Sequence, residues 1–196
     1  MHKQLIIDTC GRYGLLRNQA AYVLATAEWE TNHSFEPVRE AYRLNNAEVR
    51  RKRNLRYYPW YGRGFVQLTW AENYRKAGAA IGVDLIGNPD LALAPETAAR
   101  ILVLGMREGW FTGKSLADYI TLERSDFERA RRIVNGTDKA AEIAALARNH
   151  DADLLRAGYG VEGGAPDPAA DPPAGLRGLL LALLKFLLSL LPKRTS

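Results

Sequence analysis

The chain has 196 residues, of which 47% are hydrophobic and 25% charged, and a formal net charge of +5 at pH 7. This length and balance predict one globular domain with a proper core. Because Cys10 is the only cysteine, an intrachain disulfide scaffold and a cysteine-rich zinc site are excluded. The positive charge favours an anionic partner, such as nucleic acid, an anionic membrane or a bacterial envelope, without choosing among them.

The N-terminal segment contains only a short apolar run, from Leu5 to Ile7. The core of a signal peptide is longer than this run. We therefore expect synthesis in a cytoplasm and no export by the general secretory route under a signal of the chain's own.

The first predicted helix runs from Asn18, a plausible N-cap, to Glu30. Its apolar row continues directly into the carboxylate of Glu30. The apolar positions of that row are Leu16, Ala20, Val23 and Ala27. A carboxyl group beside apolar surface is poorly solvated, so its pKa should rise, as a general acid near neutral pH requires. The alternative is that Glu30 only marks where the helix reaches the surface.

Glu40 is the candidate for a second carboxylate. Pro37 precedes Glu40 and implies a change of direction of the chain. This change allows Glu40 to face Glu30 across a gap. Two carboxyl groups that flank a glycosidic bond are the working parts of a glycosidase. Three competing glutamates lie nearby in the sequence, namely Glu28, Glu36 and Glu48. Spacing alone therefore does not single out Glu40.

The segment YYPWYGRGFVQLTW, residues 57–70, has six aromatic residues among 14. If Gly64 to Trp70 is a strand, its side chains alternate between two faces. One face, toward the core, then holds Val66, Leu68 and Trp70, and the other holds Phe65, Gln67 and Thr69. An amide and a hydroxyl suit hydrogen bonds to sugars or to a catalytic water, and aromatic rings suit pyranose faces. The rings in question are Tyr57, Tyr58, Trp60 and Tyr61. The segment predicts one wall of a sugar-binding cleft, although an aromatic mini-core would have the same composition.

Three later segments are predicted to be helical. Pro95–Arg107 has proline in its first turn, and Ser125–Gly136 opens on a serine cap with a glutamate three residues later. Asp138–Gly158 is a long amphipathic segment. Because the strand pattern is confined mainly to Gly64–Trp70, the predicted fold class is mainly α with a small β element.

Two further segments follow the predicted domain, residues 1–158. Residues 159–174 are rich in Gly, Pro, Ala and Asp, cannot bury a core, and are predicted to form a flexible linker. Residues 175–196 place leucines along one helical face and carry four basic residues. This run is short for a membrane span, so it predicts a cationic amphipathic helix that contacts a membrane through residues 175–194. Docking of this helix on the domain, or an oligomerisation seam, is the alternative.

Other chemistries fit the sequence poorly. Glu30 and His33 form one Glu-x-x-His copy, whereas a di-iron bundle needs two. The three histidines lack metal-ligand spacing, and neither a phosphate-binding glycine loop nor a serine nucleophile elbow is present. The basic run VRRKRN, residues 49–54, belongs to no recognisable nucleic-acid fold, so no nucleic-acid partner is predicted.

Several blocks of the sequence, in the same order, resemble glycoside hydrolase family 19. YYPWYGRGFVQLTWAENYRKAG with IGVDLIGNPDLAL resembles the family signature, and ATAEWETNHSFEP resembles its helix with the catalytic His-Glu-Thr. RRIVNGTD resembles its later Asn-Gly block. The resemblance runs from about Gln19 to Arg148, and the lack of disulfides and the compact length are closer to phage endolysins than to plant chitinases. It implies a lysozyme-like α+β fold.

The resemblance also implies a role for each candidate residue. Glu30 would be the general acid, Glu40 the base that deprotonates a water, and Thr69 a residue that holds this water. Hydrogen bonds to the substrate would come from Gln67, Asn73 and Asn135. Family members invert the anomeric carbon, which requires carboxyl groups roughly 6.5–9.5 Å apart, and no metal or organic cofactor is implied. In this chain Trp29 stands where the family usually has histidine.

Three hypotheses follow. The first is an endolysin, made in a host cytoplasm, that cleaves β-1,4 glycosidic bonds of peptidoglycan at the bacterial cell wall and has a membrane-active C-terminal helix. The second is a chitinase that acts on N-acetylglucosamine polymers. The third is a module that only binds the cell wall, with a tail that acts like an antimicrobial peptide. The partner of the domain is a glycan in all three, either peptidoglycan or a chitin-like polymer.

Overall fold

The computed structural model describes residues 2–40 and 57–160. Within these ranges the helices are α1 (Lys3–Arg12), α2 (Arg17–Glu30), α3 (Ala71–Ile81), α4 (Pro95–Glu108) and α5 (Ala140–Arg156). The strands are β1 (Val38–Arg39) and β2 (Arg63–Gly64). Short 3-10 helices cover Pro89–Leu93, Leu116–Asp118 and Arg129–Ile133. The predicted fold class, mainly α with a small β element, is confirmed.

Several predicted features lie outside the described residues. They are the competing glutamate Glu48, the basic run 49–54, the linker beyond residue 160 and the cationic helix 175–196. The structured domain extends slightly past its predicted end at residue 158, because Tyr159 packs against the core and its hydroxyl donates to the Leu15 carbonyl at 3.1 Å. None of the helices in residues 2–40 and 57–160 is long and apolar enough to cross a bilayer.

Helix α2 forms the centre of the core. Residues 20–27 are all buried, so this helix is enclosed on every side rather than along one stripe. Helix α5 packs along it through small buried residues, including Ala144 and Ala147, while α1 and α4 also contact it. This packing places Glu30, the last residue of α2, where the helix leaves the core.

The predicted helix beginning at Pro95 is confirmed, whereas the predicted cap of α2 is wrong. Helix α4 begins at Pro95 and ends before Gly109, whose φ of +70° is the left-handed conformation that commonly terminates helices. The N-cap position of helix α2 is Leu16, whose side chain makes no capping hydrogen bond. The side chain of Asn18 instead donates to the Thr121 carbonyl at 2.7 Å and to the Ser125 hydroxyl at 2.9 Å, and so ties α2 to a later loop.

The predicted helix Ser125–Gly136 is also wrong, since only the 3-10 turn Arg129–Ile133 forms there. The hydroxyl of Thr112 donates to the carbonyls of Arg132 at 2.6 Å and of Ile133 at 3.1 Å. A continuing α-helix would use those carbonyls for its own next turn. The 3-10 turn therefore does not extend into an α-helix, and the hydrogen bonds from Thr112 fix its position.

The predicted strand Gly64–Trp70 is in fact a tight turn. Strand β2 pairs antiparallel with β1, with Val38 opposite Gly64, and the chain then reverses so that the amide of Leu68 donates to the Arg63 carbonyl at 2.9 Å. Because the reversal removes strand alternation, Phe65 is fully buried and Trp70 is 45% exposed, both opposite to prediction. The predicted burial of Val66 and Leu68 is confirmed.

Arg63 holds the aromatic segment together from within. Its side chain is 3% exposed and its Nε donates to Asp90 Oδ1 at 2.7 Å. Its Nη1 donates to the Pro59 carbonyl at 2.8 Å and to the Tyr74 hydroxyl at 3.1 Å. The Tyr74 hydroxyl in turn donates to the Tyr61 carbonyl at 2.7 Å, and burial raises the pKa of Tyr74 to about 12. A buried guanidinium with its donors satisfied in this way fixes the backbone it contacts.

Candidate active site

Glu30 lies at the edge of the core, as its helical row predicts. Ala20, Val23 and Ala27 in that row are completely buried, whereas the Glu30 side chain is 19% exposed. The carboxylate therefore has apolar surface behind it and a solvent-facing side. This placement suits a general acid, and the role itself stays a prediction.

Glu30 also has a cationic partner that the sequence pattern does not predict. Arg131, from the 3-10 turn, donates from Nη1 to Glu30 Oε1 at 2.9 Å, and its side chain is only 5% exposed. Its Nε donates to the Asp138 carbonyl at 3.1 Å. The apolar row therefore describes only one side of the surroundings of Glu30, and Arg131 supplies a charge on another. No sequence signal separates Arg131 from the adjacent Arg132, because only the fold buries one and exposes the other.

Glu40 directly follows β1 and is held by hydrogen bonds to the aromatic segment, residues 57–70, which contains β2. Its amide donates to the Gly62 carbonyl at 2.6 Å, and Gly62 returns a hydrogen bond from its own amide to Glu40 Oε2 at 3.2 Å. The Tyr57 hydroxyl reaches Oε1 at 3.4 Å. The carboxylate of Glu40 therefore contacts this segment directly, through Tyr57 and Gly62. Its role as base stays a prediction.

Gln67 fixes the turn that lies beside Glu40. Its φ is +54°, and its side-chain amide donates to the Val38 carbonyl at 2.9 Å. A Cβ added to Gly62 would lie 2.7 Å from Gln67 Oε1, so a larger residue at this position would displace the Gln67 side chain. The amide group predicted to bind substrate is thus engaged in joining the turn to β1.

Thr69, Asn73 and Asn135 lie in two places. The Thr69 hydroxyl donates to the Gln67 carbonyl at 2.8 Å, and the Asn73 amide donates to the Thr69 carbonyl at 2.8 Å, so both hold the junction of the turn with α3. Asn135 is exposed, and its backbone N–H donates to the Arg131 carbonyl at 3.0 Å. The candidates therefore form two groups, one with each carboxylate. Their contacts with water or substrate stay predictions.

The structure corrects the predicted role of Tyr61. This side chain is 1% exposed, and the Arg63 guanidinium lies 3.8 Å from the centre of its ring. Because the ring is almost completely buried and a cation covers one of its faces, neither face is open to a pyranose. Tyr61 is a structural residue of the segment.

Backbone strain is concentrated in the segments that carry the candidate residues. Six non-glycine residues in the described ranges have positive φ, namely Asn32, His33, Phe35, Gln67, Trp70 and Lys139. Asn32, His33 and Phe35 follow Glu30 in the chain. Gln67 and Trp70 lie on either side of Thr69, and Lys139 follows Asp138, whose carbonyl accepts from Arg131. Each such residue costs about 1–3 kcal/mol and persists only where its surroundings impose it, as at functional sites.

A second polar cluster, formed by Glu28, His33 and His150, lies near the C-terminus of α2. The sequence pattern does not predict it. Glu28 Oε1 accepts from His33 Nδ1 at 2.8 Å, and Oε2 accepts from His150 Nε2 at 2.6 Å. Burial opposes ionisation of Glu28, but the two histidine hydrogen bonds outweigh it and lower the pKa of this carboxyl. Burial lowers the pKa of His150, against the influence of Glu28. We therefore assign an ionised Glu28 and a neutral His150 near pH 7. In the described part of the chain no group of three or more His, Cys, Asp or Glu side chains is arranged to hold a metal ion.

Comparison with known proteins shows which family this part of the chain is similar to. Residues 28–105, which include both candidate carboxylates, match the family model described as chitinase class I, of glycoside hydrolase family 19. Chitinase 11 of Oryza sativa subsp. japonica is 33% identical over 124 residues, covering 52% of this chain and 48% of its own length. Chitinase 8 of the same plant is 64% identical over 33 residues, covering 17% of this chain and 13% of its own length. The chain thus spans about half the length of the first relative and less of the second.

Among solved structures, chitinase C from Streptomyces griseus HUT6037 matches with a TM-score of 0.50 and 23% identity, covering 71% of this chain and 59% of its own. This likeness concerns the fold, and it supports the lysozyme-like class that the resemblance implies. The segment that carries Glu30, Glu40 and the aromatic turn is therefore similar to glycoside hydrolase family 19.

Proposed function

We propose that the chain hydrolyses β-1,4 glycosidic bonds in a polymer of N-acetylated sugars, and that this polymer is bacterial peptidoglycan. The observation that carries the proposal is the pair of carboxylates held by separate parts of the fold. Arg131 fixes Glu30 at the end of α2, and Gly62 with Tyr57 fixes Glu40 beside the aromatic turn. Two positioned carboxyl groups are what glycoside hydrolysis requires.

In the proposed mechanism, Glu30 donates a proton to the glycosidic oxygen as the bond to the anomeric carbon breaks. Glu40 takes a proton from a water that attacks this carbon from the opposite face, which inverts its configuration. Because the Thr69 hydroxyl already donates to the Gln67 carbonyl, its oxygen serves the water as an acceptor. The water then has two acceptors, Thr69 and Glu40, which orient its lone pair toward the sugar. The residues of the chain supply every proton transfer in this scheme.

Charge supports peptidoglycan as the polymer. The chain carries +5 at pH 7, and bacterial wall polymers are anionic, whereas chitin is uncharged. Attraction between opposite charges raises the local concentration of substrate and weakens as salt screens it. Hydrolysis of peptidoglycan by this chain should therefore fall as ionic strength rises, more than hydrolysis of an uncharged oligomer does.

Chitin is the second candidate, and the names of the relatives favour it. Both rice relatives and the Streptomyces griseus structure are named chitinases. Purified peptidoglycan and N-acetylglucosamine oligomers, digested in parallel, separate the two candidates. Mass spectrometry of the fragments identifies the bond cut, and early proton NMR identifies the anomer. We expect muropeptide fragments to accumulate faster, with inversion; faster turnover of the oligomers would favour the chitinase.

Substitution of the proposed acid tests the enzyme hypothesis itself. Glu30→Gln keeps an acceptor for Arg131 but has no proton of suitable acidity, so activity should fall by about 10²-fold or more. Glu72→Gln, at an exposed glutamate of α3, is the matched control and should retain activity. Circular dichroism and thermal unfolding report whether both variants are folded. Full activity in folded Glu30→Gln would remove Glu30 from its role.

A further inference from the structure

Trp70 lies at the surface, at the end of a segment whose other apolar side chains are buried. Trp70 is 45% exposed, whereas Phe65 is 0%, Val66 5% and Leu68 2% exposed. Strand alternation predicts Trp70 in the core, and the observed turn instead directs it outward. A large aromatic ring left half open beside a candidate active site calls for a physical reason.

The backbone of Trp70 is strained in a way that maintains this exposure. Its φ is +76° with ψ 138°, a combination that bulky side chains rarely adopt. Its amide donates to the Trp60 carbonyl at 2.9 Å, and its carbonyl accepts from the Tyr74 amide at 3.1 Å. These bonds to the aromatic segment and to α3 hold the strained residue in place. Strain that the fold imposes on one residue is a recognised mark of a functional position.

Trp70 is also close to the contacts of Glu40. Its ring meets the ring of Tyr57 edge-on, with centroids 5.2 Å apart and an interplanar angle of 66°. The hydroxyl of the same Tyr57 donates to Glu40 Oε1 at 3.4 Å. One aromatic residue thus separates the exposed indole from the proposed catalytic base, and Thr69 directly precedes it in the chain. An edge-on contact covers only part of the indole and leaves a face available.

We propose that Trp70 is a sugar-binding platform of this site, on which the apolar face of one pyranose ring of the glycan packs. The inference rests on the proposed function and assigns the occupant of one subsite. A flat indole offers apolar area and an N–H donor at its edge, which matches the C–H face and the hydroxyl rim of a pyranose. The platform takes over the role that the buried ring of Tyr61 does not fill.

Binding of intact oligosaccharide tests the platform. N-acetylglucosamine oligomers and soluble peptidoglycan glycan fragments are titrated calorimetrically into the Glu30→Gln protein, with and without a second substitution. Trp70→Ala should weaken binding by about 10- to 100-fold, which is the range for burial of a large apolar side chain, and Trp70→Phe should lose less. Leu122→Ala, at a residue that is 78% exposed, is the control and should bind as the parent does.

Trp70→Gly separates binding from folding, because glycine adopts the positive φ of this position without strain. We expect Trp70→Gly to stay folded by circular dichroism and to bind as weakly as Trp70→Ala. Equal affinity of folded Trp70→Gly and the parent would overturn the platform. Iodide quenching of tryptophan fluorescence supplies a second readout. If Trp70→Phe removes no quenchable emission from the ligand-free protein, another part of the chain covers the indole and the inference fails.

The two proposals fail in distinguishable ways. If the wild-type chain hydrolyses glycan while the Trp70 variants match it in KM and in affinity, only the platform is wrong. If the wild-type chain neither binds nor hydrolyses either class of oligosaccharide, the proposed function is wrong and the platform with it. If Trp70 variants raise KM with little change in kcat, the residue acts by binding sugar, as proposed.

Discussion

Two arginines are buried in the described part of the chain, and each serves a different half of the candidate site. Arg131 pairs with Glu30, whose side chain is 19% exposed, while Arg63 pairs with Asp90, whose side chain is 64% exposed. The screened Asp90 pair contributes little by itself, and the carbonyl partners of Arg63 account for its burial. The Arg131 pair is the more shielded one, so its loss has the larger electrostatic consequence.

Removal of the Arg131 guanidinium should therefore harm both stability and catalysis. Arg131→Met leaves a largely buried carboxylate without its partner, a change that typically destabilises a protein by about 3–5 kcal/mol. Activity should fall as well, because Glu30 loses the group that fixes its Oε1. Arg131→Lys should retain part of the stability, since one ammonium cannot reach both Glu30 and the Asp138 carbonyl as the planar guanidinium does. Urea unfolding and initial rates measure the two effects.

Arg132→Met is the matched control for that experiment. Arg132 is adjacent in sequence and exposed, so the same change of charge there should alter the free energy of unfolding by less than about 0.5 kcal/mol. Equal effects of the two substitutions would mean that the Glu30 contact contributes nothing beyond net charge.

At the scale of elements, the sequence predicts those helices whose ends and periodicity are set locally. Pro95 and Gly109 mark the two ends of α4, and the long amphipathic pattern predicts α5. The turn at Gly64–Leu68 is not predictable from alternation, because it depends on pairing with β1 and on the positive φ of Gln67. The predicted helix after Ser125 fails for a similar reason, since the distant Thr112 binds its carbonyls.

The candidate site divides along the same line. The position of Glu30 at the edge of the core is predictable from the helical spacing of the apolar residues before it. The roles of Glu40 and of the turn residues are predicted from the resemblance to a family. Arg131 and His150 are 101 and 122 residues away from the glutamates they bind, so no local pattern contains these pairs. Long-range ion pairs form only once the elements have packed, which is why they were missed.

Helix packing around α4 leads to a prediction at one glycine. A Cβ added to Gly105, in the buried part of α4, would clash with the ring of Phe111. Overpacking of this kind costs about 1–3 kcal/mol, which exceeds the roughly 0.5–1 kcal/mol that alanine gains in helix propensity, so Gly105→Ala should lower the unfolding midpoint. Gly11→Ala, in α1, meets nothing within 4 Å and should instead stabilise the protein by roughly 0.5–1 kcal/mol through its helix propensity. If Gly105→Ala is neutral, the contact between α4 and Phe111 is looser than described.

The contact between α2 and α5 gives the domain a pH dependence. The pKa of His150 lies below its ordinary value of 6.5 because of burial, so the unfolded chain binds a proton more readily and stability falls as pH drops below about 6.5. The Glu28 carboxylate adds a second loss, at pH below its ordinary value of 4.5, as it is protonated. The other groups that act on His150 are Lys3, whose charge lowers its pKa further, and Asp153, whose charge raises it. Urea unfolding midpoints measured between pH 8 and 4 should show both losses of stability, the first from His150 and the second from Glu28.

His150→Gln isolates the first stage. Glutamine can donate to Glu28 but does not titrate, so the variant should lose the change in stability between pH 7 and 5 and keep the change below pH 4.5. His33→Gln, at a histidine that is 57% exposed, should leave the first stage largely in place. An unaltered slope between pH 7 and 5 in His150→Gln would assign that stage to another group.

For the molecule as a whole, the positive charge resides mainly in the domain. Residues 161–196 contain four basic and three acidic residues, a net of +1, so residues 1–160 carry +4 of the total of +5. Electrostatic attraction to an anionic wall therefore does not depend on the C-terminal segment. The proposed enzyme and the proposed membrane helix are separable by truncation.

A chain ending after Gly160 should hydrolyse isolated peptidoglycan within about twofold of the full chain, because all candidate site residues precede that point and +4 of charge remains to attract the wall. If residues 175–194 form the proposed membrane helix, the same truncation should abolish dye leakage from anionic phospholipid vesicles. A chain ending after Gly158 is the matched comparison: it lacks Tyr159 and its bond to the Leu15 carbonyl, and should be less stable by about 1–2 kcal/mol. Loss of hydrolysis in the folded Gly160 truncation, measured on purified wall, would contradict catalysis by the domain alone. Absence of hydrolysis in both the full chain and the truncation would favour a wall-binding module whose effect comes from the tail.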